Sequence, residues 1–266
     1  MGELMRVIAG LCAGLCVVGC SVETDSASES VPLPREIVDL GVEITADTPK
    51  QFFGNRFLSD MGLEGLNSFD VVQWEYGPVS GSNAYYTLFN HGGPHVDAPN
   101  HVGVGPGLDA YAVESFVGPV KAFDVSHLKS GRTVTVDMVR SLPITPDDIV
   151  IMYTGYAAPT NDSDLPETIA LSYEAAEYLA KIPIRGFGTD AFSVASITDQ
   201  SPVAADDPVA QTVPAHYALL TRGIPTYEQL VNVDKLLGKE NMLFVGAPLN
   251  IKDGDGMIVR PVVLIY

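Results

Sequence analysis

Cysteine and basic residues are scarce in this sequence, and these shortages exclude several classes of protein. Only three cysteines occur among 266 residues, and all of them lie at or before position 20. A disulfide-stabilised scaffold is therefore excluded for the rest of the chain. Fifteen lysines and arginines stand against thirty-three acidic residues, which gives a net charge of −18. This charge repels phosphate backbones and anionic lipid headgroups, so we expect no nucleic-acid partner.

Long apolar runs are also missing, apart from one short run near the start of the chain. Residues 7–19 are all apolar or small and follow Arg6, but a helix needs roughly 20 such residues to cross a bilayer. The pattern is typical of a secretory signal. It ends in VVGC, which resembles the bacterial lipobox that precedes a lipidated cysteine. We therefore expect residues 1–20 to be a lipoprotein signal, with Cys20 lipidated and the protein anchored in the cell envelope by lipid alone.

The remaining chain has the composition of one folded domain preceded by a tether. Residues 21–34 are rich in serine and acidic residues and end in two closely spaced prolines, which is typical of a flexible linker. Apolar residues make up 46% of the chain and charged residues 18%, so a compact core is expected. Because no repeat and no second long linker follows, we predict one domain over residues 35–266.

Short β-rich runs alternate with a few helical patterns and predict an α/β fold organised by a large sheet. The predicted strands are Glu36–Leu40, Asp70–Trp74, Tyr85–Asn90, Val117–Val125, Ile149–Thr154, Ile184–Gly188, Met242–Gly246 and Met257–Ile265. Helices are predicted to begin after Thr135 and after Ser172, each of which can act as an N-cap. A capping box, Thr226-x-x-Gln229, predicts a further helix running toward Leu237.

The chemistry is concentrated in one segment, HGGPHVDAPNH at positions 91–101, which holds three of the five histidines in the chain. Its glycines and prolines forbid a regular helix and predict a loop. In an extended backbone His95 and Asp97 point the same way, so two imidazoles and a carboxylate can converge. Nitrogen and oxygen ligands without thiolates suit Zn²⁺, Mn²⁺ or Fe²⁺ and argue against a closed structural zinc site. The segment therefore predicts a catalytic metal site.

This segment resembles the H-x-G-T-H-x-D-x-P-x-H signature of the cyclase family, which includes bacterial kynurenine formamidase and isatin hydrolase. Pro94 stands where the signature has threonine. Further similarity lies in the opening strand, in Thr-Gly and Gly-x-Asp elements, and in a histidine twelve residues before a glutamate; these are Ile37–Leu40, Thr154-Gly155, Gly188–Asp190, and His216 with Glu228. The resemblance implies a single α/β domain with the swivelling β/β/α fold, and a homodimer.

The resemblance also implies a role for each matched residue. His91, His95 and Asp97 correspond to ligands of a first divalent ion, zinc or manganese. His216 and Glu228 correspond to the remaining ligands, with Asp97 able to bridge to a second ion. Without the resemblance, Glu228 would be interpreted as an ordinary acidic residue in the first turn of a helix. His216 would be interpreted as a buried, hydrogen-bonded histidine.

His101, the last residue of the motif, corresponds to the family's proton donor and acceptor. A group that titrates near neutrality can protonate the amine that leaves when an amide is hydrolysed. No Gly-x-Ser-x-Gly elbow and no phosphate-binding glycine loop occurs in the chain, which disfavours acyl-enzyme and nucleotide chemistry. His127 matches nothing in the family pattern and is expected to be a surface or structural residue.

We therefore predict a metal-dependent hydrolase that cleaves an amide-type C–N bond in a small molecule, either an aryl formamide or a cyclic amide. The alternative is a catalytically silent envelope protein that binds a ligand in the same pocket. Pro94 is the one hint of that alternative, and an intact His101 argues against it. Phe52, Phe53 and Trp74 are candidate pocket walls, although a plain role in the core is the stronger interpretation for each.

Overall fold

A nine-stranded mixed sheet lies at the centre of the protein. In the computed structural model, which describes residues 32–129, 132–161, 163–195, 203 and 206–266, the chain from Leu33 to Tyr266 forms one compact unit. The predicted signal segment with Cys20, and most of the predicted tether, lie outside the described residues. Nowhere in the described part of the chain is there a helix with the length and apolar character needed to cross a membrane.

The described strands and helices alternate along the chain. The strands are β1 (Glu36–Asp39), β2 (Ser68–Tyr76), β3 (Val79–Thr87), β4 (His95–Asp97), β5 (Val117–Asp124), β6 (Thr133–Val134), β7 (Ile149–Tyr153), β8 (Ala170–Leu171), β9 (Gly186–Thr189), β10 (Thr226–Glu228), β11 (Met242–Val245), β12 (Gly256–Ile258) and β13 (Val262–Ile265). The α-helices are α1 (Thr48–Asp60), α2 (Val136–Arg140), α3 (Tyr173–Leu179), α4 (Pro208–Thr212) and α5 (Pro214–Leu220). Short 3₁₀ turns include Pro99–Val102 and Val233–Leu236.

The main sheet has the order β1-β13-β11-β5-β7-β9-β10-β4-β12. The four middle strands β5, β7, β9 and β10 run parallel, and the strands on either side of them pair antiparallel. The sheet curls strongly, because the rings of Tyr227 on β10 and Phe244 on β11 lie 4.7 Å apart although three strands separate β10 from β11. This mixed, curled sheet with helices packed on it confirms the predicted α/β class.

Strand β7 shows why the middle of the sheet reads as a continuous apolar run. Ile149 and Ile151 face the core enclosed by the curl, whereas Val150 and Met152 face a second core beneath α2, α3 and α5. Successive side chains of a strand point to opposite faces. A strand covered on both faces therefore has no polar alternation, as is usual for parallel strands inside a sheet.

Two of the predicted helix starts are confirmed by their caps. The Thr135 hydroxyl accepts a hydrogen bond from the Met138 N–H at 3.5 Å, and the Ser172 hydroxyl accepts one from the Ala175 N–H at 3.2 Å. Each bond satisfies an amide that has no partner inside its own helix.

The helix predicted from Thr226 toward Leu237 is wrong. Thr226–Glu228 is strand β10, which pairs with β9 on one side and β4 on the other, and a 3₁₀ turn at Val233–Leu236 follows it. The left-handed φ of +61° at Gln229 prevents a helix from starting there. Two backbone ladders, contributed by residues distant in sequence, outweigh the local capping-box preference.

The predicted strand Met257–Ile265 is two strands, because β12 and β13 lie at or next to opposite ends of the sheet. The chain leaves the sheet at Val259 and re-enters it after Pro261, which has no N–H to donate. Residues His95–Asp97, predicted as loop, also form a strand. A three-residue strand between two partners is too short to show an alternating pattern in the sequence.

Candidate metal centre

Strand β4 brings the first pair of predicted ligands into the sheet, and its register brings a third. His95 and Asp97 are two residues apart on β4 and are 1% and 0% exposed. On the neighbouring strand β10, Glu228 lies directly opposite His95. Residues directly opposite each other on antiparallel strands have side chains in contact. Glu228 therefore reaches the same point as His95, with its Oε2 atom 3.6 Å from His95 Nε2.

His91 reaches the cluster from the segment that enters β4. The Nε2 atom of His91 lies 3.1 Å from Asp97 Oδ1. Gly256, opposite Asp97 on β12, leaves the room for this ring, because a Cβ atom on Gly256 would lie 2.5 Å from His91 Nε2. Gly93 has a φ of +137°, a value that L-residues rarely adopt. Glycine is therefore favoured at the two positions for different reasons: at Gly256 because a side chain would contact His91, and at Gly93 because of the backbone conformation.

His216 approaches from helix α5 and completes the group of predicted ligands. Its Nε2 atom lies 3.1 Å from Glu228 Oε1 and 3.5 Å from Asp97 Oδ2. Pro214 in the first turn of α5 suits a helix start, because the missing N–H would be unpaired there anyway. The structure thus brings all five predicted ligands together, from the segment before β4, from β4 and β10, and from α5.

Hydrogen bonds at Nδ1 orient two imidazoles so that their Nε2 atoms face a carboxylate. The Asn90 side-chain N–H₂ donates to Asp255 Oδ1 at 2.8 Å, so Asn90 Oδ1 is free to accept from His91 Nδ1 at 3.0 Å. His95 Nδ1 donates to the Gly93 carbonyl at 2.8 Å. The Nε2 atoms of His91 and His95 both point at Asp97 Oδ1, at 3.1 and 3.3 Å.

Acceptor atoms that face each other across a buried space repel unless a cation lies between them. Among the described residues, His91 Nε2, His216 Nε2 and both Asp97 carboxylate oxygens have no hydrogen-bond partner. His91, His95 and Asp97 each offer a ligand atom within 4.8 Å of one another. The donor set, its burial and its unpaired atoms therefore fit a divalent metal ion.

The charges of the cluster favour bound cations. Burial disfavours the charged form of His95, yet the Asp97 and Glu228 carboxylates raise the pKa of His95 to about 10. The same two carboxylates overcome burial at His216 and raise its pKa to about 10. Burial opposes ionisation of Asp97 too, but the surrounding imidazoles hold its pKa well below the usual value. Positive charge, whether protons or a metal ion, is thus strongly stabilised at this point.

His101 lies beside the cluster, at its open side. Its ring stacks on the His91 ring with centroids 4.2 Å apart, and its side chain is 31% exposed. Its Nδ1 atom lies 3.7 Å from Asp255 Oδ2. Burial lowers the pKa of His101 below 6.5 although Asp97 opposes that shift. His101 is thus held near the ligands as a largely neutral imidazole that solvent and a bound molecule can reach.

Three residues of the site carry no recognisable signal in the sequence. Asn90 and Asp255 are 165 positions apart, and Asp255 sits in a Gly-Asp-Gly turn that resembles any surface turn. Gln229 was assigned to a helix, yet its amide contacts the backbone of His91 and Gly93. Such partners are set by tertiary contact, and only the position of Asn90 next to His91 hints at a role.

An apolar cavity of about 460 Å³ opens beside the metal ligands. Helix α1, which the sequence did not predict, contributes two walls, Phe53 and Phe57, and the segments before β4 and after β9 contribute Phe89 and Phe192. Of the candidate walls, Phe53 lines this cavity, whereas Phe52 does not. Trp74 lies on the β2–β3 hairpin and is 41% exposed. The exposed position of His127 agrees with its expected surface role.

Comparison with known proteins identifies the family. A family model described as "Putative cyclase" matches residues 38–196. Kynurenine formamidase of Salinibacter ruber is 31% identical over 177 residues, which cover 66% of this chain and 76% of that protein. The fold of an isatin hydrolase bound to thioisatinate superposes with a TM-score of 0.68 at 22% identity, over 86% of this chain and 92% of that one. Isatin hydrolase A of Labrenzia aggregata gives a TM-score of 0.63 at 27% identity, over 86% and 93% of the two chains. The protein therefore belongs to the cyclase family of metal-dependent hydrolases.

Proposed function

We propose that this protein is a metal-dependent hydrolase that cleaves an amide-type C–N bond, in an aryl formamide or a cyclic amide. The observation that carries the proposal is the pair of imidazole Nε2 atoms, of His91 and His95, that face the buried Asp97 carboxylate, with His101 beside them and an apolar cavity in front. The relatives named kynurenine formamidase and isatin hydrolase support amide hydrolysis.

The proposed ligands are His91, His95, Asp97, His216 and Glu228, for one or two ions of zinc or manganese. Such an ion supplies Lewis-acid chemistry, because it acidifies water and stabilises negative charge on a carbonyl oxygen. The five side chains come from β4, β10, α5 and the segment before β4, and all are buried. They can therefore hold an ion in a fixed position without competition from bulk water.

His101 is the proposed proton carrier. With a pKa below 6.5 it is neutral at neutral pH, so it can first accept a proton from the attacking water. It then donates that proton to the amine nitrogen as the C–N bond breaks, because an unprotonated amine is a poor leaving group. Its 31% exposed side chain borders the cavity in which the substrate would lie.

The cavity favours a neutral aromatic substrate. Four phenylalanines, Phe53, Phe57, Phe89 and Phe192, supply flat apolar walls, and no lysine or arginine lines the space within the described residues. Aromatic rings pack against such walls edge-on or offset. A substrate carboxylate would have no cationic partner in the protein and would face Glu228 and Asp255, so an uncharged aryl amide or lactam fits better.

The location and assembly of the protein are further parts of the proposal. The VVGC sequence before position 21 supports lipidation at Cys20 and export to the cell envelope. The family resemblance supports a homodimer. Neither statement rests on the geometry of the proposed ligands.

The proposal is tested by metal analysis together with a substrate panel. Purified protein is reconstituted with Zn²⁺ or Mn²⁺ and assayed on formanilides, cyclic imides and isatin. His91→Ala, His95→Ala and Asp97→Ala should each lose metal and activity, whereas His127→Ala, which removes an exposed histidine outside the site, should retain both. Bound metal without turnover of any amide would favour the silent binding protein instead.

A further inference from the structure

Gln229 is a fully buried polar residue that directly follows the proposed ligand Glu228. Its side chain is 0% exposed, and its backbone adopts a left-handed φ of +61°. A residue other than glycine in this conformation carries a strain cost of order 1–3 kcal/mol unless surrounding contacts hold it. Its own N–H donates to the Ala191 carbonyl at 2.9 Å. The hydrogen bonds of the buried side chain are contacts that can hold this conformation.

Both ends of the Gln229 amide bond to the backbone around the metal centre. Its Oε1 atom accepts from the Gly93 N–H at 2.8 Å. Its Nε2 atom donates to the His91 carbonyl at 3.0 Å and to the Phe192 carbonyl at 3.3 Å. One side chain thereby joins the segment that carries His91, the segment that carries a cavity wall, and the strand that ends in Glu228.

His91 needs such support more than the other proposed ligands do. His95, Glu228 and His216 belong to regular elements, whereas His91 lies between β3 and β4 with no ladder partner of its own. Without the Gln229 amide, the Gly93 N–H would lose its bond and the His91 carbonyl would be left in a buried apolar setting. An unpaired buried group costs about 1–3 kcal/mol, so the segment would move to satisfy it.

We infer that Gln229 is a positioning residue for the metal centre, which sets His91 in its place relative to Glu228. The inference rests on the proposed metal site. Residues that support metal ligands through hydrogen bonds affect metal affinity by about 10–100-fold when they are replaced. Gln229 acts in this way through the backbone of His91 and Gly93, and it contacts no ligand atom itself. The hydrogen bond from Gln229 to the Phe192 carbonyl also fixes the backbone that carries one wall of the cavity.

The test compares Gln229→Met with a matched change nearby. Asn232→Met introduces the same side chain at another left-handed residue, with φ of +57°, whose amide donates to the Asp39 carbonyl on β1 and not to the backbone of His91 or Gly93. Zn²⁺ dissociation constants are measured on both folded variants by competition with a chromogenic chelator, alongside melting of the metal-free proteins. Gln229→Met should raise the Zn²⁺ dissociation constant by about 10–100-fold. Asn232→Met should leave that constant unchanged, even where it lowers the melting temperature as much as Gln229→Met does.

A second variant keeps the experiment decisive if Gln229→Met fails to fold. Gln229→Glu keeps the length and the acceptor for Gly93 but cannot donate to the two carbonyls, so weaker Zn²⁺ binding is again expected. Unchanged Zn²⁺ affinity in either folded Gln229 variant, or an equal loss in Asn232→Met, would overturn the inference. Failure of the wild-type protein to bind Zn²⁺ or Mn²⁺ would instead overturn the proposed function on which it rests.

Discussion

At the scale of single residues, the cluster contains histidines whose positive charge is favoured and one histidine, His101, whose neutral form is favoured. His95 and His216 lie between two carboxylates, which raise their pKa values to about 10. His101 stacks on His91 at the edge of the same cluster, and burial keeps its pKa below 6.5. The pKa of the same side-chain type thus shifts in opposite directions within one cluster, because the Asp97 and Glu228 carboxylates outweigh burial at His95 and His216, whereas burial prevails at His101.

His101→Asn should lower kcat by about 10²–10⁴-fold, the usual contribution of a general acid–base group, without removing metal. Because the pKa of His101 is lowered, its base form is present at neutral pH and disappears as the pH falls through that pKa. The wild-type rate should therefore fall on the acid side, and the variant should lack this limb. Elemental analysis and pH–rate profiles check the prediction. Loss of metal in the variant would show that His101 is a ligand.

Gly256→Ala should reduce metal occupancy, because the new Cβ atom would lie 2.5 Å from His91 Nε2 and displace the ring. Gly186→Ala is the control: it is also a strand glycine, but its nearest atoms lie 3.5 Å from the new Cβ, an ordinary contact distance. Metal content per protein and melting temperature are measured for both. Full metal binding by Gly256→Ala would contradict the prediction, because it would show that the His91 ring can move away from the new Cβ atom and still bind the metal.

At the scale of elements, short strands hold the ligands, and long-range contacts hold the strands. β4 and β10 have three residues each, far too few to be stable alone. They persist because β4 is paired on both sides and β10 is paired with β9 as well. The pairing of β10 with β4 therefore places Glu228 opposite His95. The predicted helix start at Thr226 plays no part in this position.

A charged contact links β1 to the turn between β12 and β13, and it predicts a pH-dependent stability. The Arg260 guanidinium donates to Asp39 Oδ2 at 2.9 Å and lowers the pKa of Asp39. Stability from a carboxyl with a depressed pKa is present above its unfolded pKa and is lost as the pH falls through the folded value.

Asp39→Asn should therefore lower the free energy of unfolding at neutral pH by only about 0.2–1 kcal/mol, since the Arg260 side chain is 78% exposed. The asparagine keeps an oxygen that can accept from the Gly41 N–H, so the variant removes the charge and the hydrogen bonds from Arg260 but preserves this turn contact. The difference from wild type should shrink as the pH is lowered through the Asp39 pKa. Urea midpoints at several pH values measure it, and a difference independent of pH would exclude the ion pair as its source.

At the scale of the whole molecule, the curled sheet encloses one core and leaves the metal centre where several elements meet. A ligand that binds only the folded state stabilises it by RT ln(1 + [L]/Kd), about 2.7 kcal/mol at a hundredfold excess over Kd. A strong chelator should therefore lower the melting temperature, by about 5–10 °C for a domain of this size. His95→Ala should melt at the same temperature with and without chelator. An unchanged melting temperature of the wild-type protein in chelator, together with no metal in elemental analysis, would contradict the metal site.

The proposed lipid anchor predicts the fate of the intact protein in a bacterial cell. Each buried CH₂ group of an acyl chain contributes about 0.8 kcal/mol, so two or more chains on Cys20 would hold the protein at the membrane. Cys20→Ser should move it to the soluble fraction, whereas Cys16→Ser, within the predicted signal, should not. Mass spectrometry of the N-terminus and membrane fractionation are the measurements. A soluble wild-type protein with an unmodified N-terminus would refute lipidation.

The sequence by itself determined the chemistry of the site and several local features. Glycines and prolines around His91 exclude a helix, and two-residue spacing puts His95 and Asp97 on one face of an extended chain, as β4 shows. Ser172 starts a helix because its hydroxyl bonds to an amide three residues on. These results follow from sterics and short-range hydrogen bonds, which depend only on neighbours in the chain.

Only the tertiary structure decided how distant parts of the chain complete the site. The partners of the motif, among them Glu228 on a strand, Asp255 beside His101 and Gln229 behind His91, are set by pairing between segments more than 130 positions apart. A capping-box pattern at Thr226 predicted the wrong element there because two β-ladders outweigh a weak local preference. Local preferences are worth tenths of a kcal/mol per residue up to about one, whereas burial and paired backbone groups across the sheet contribute more in sum.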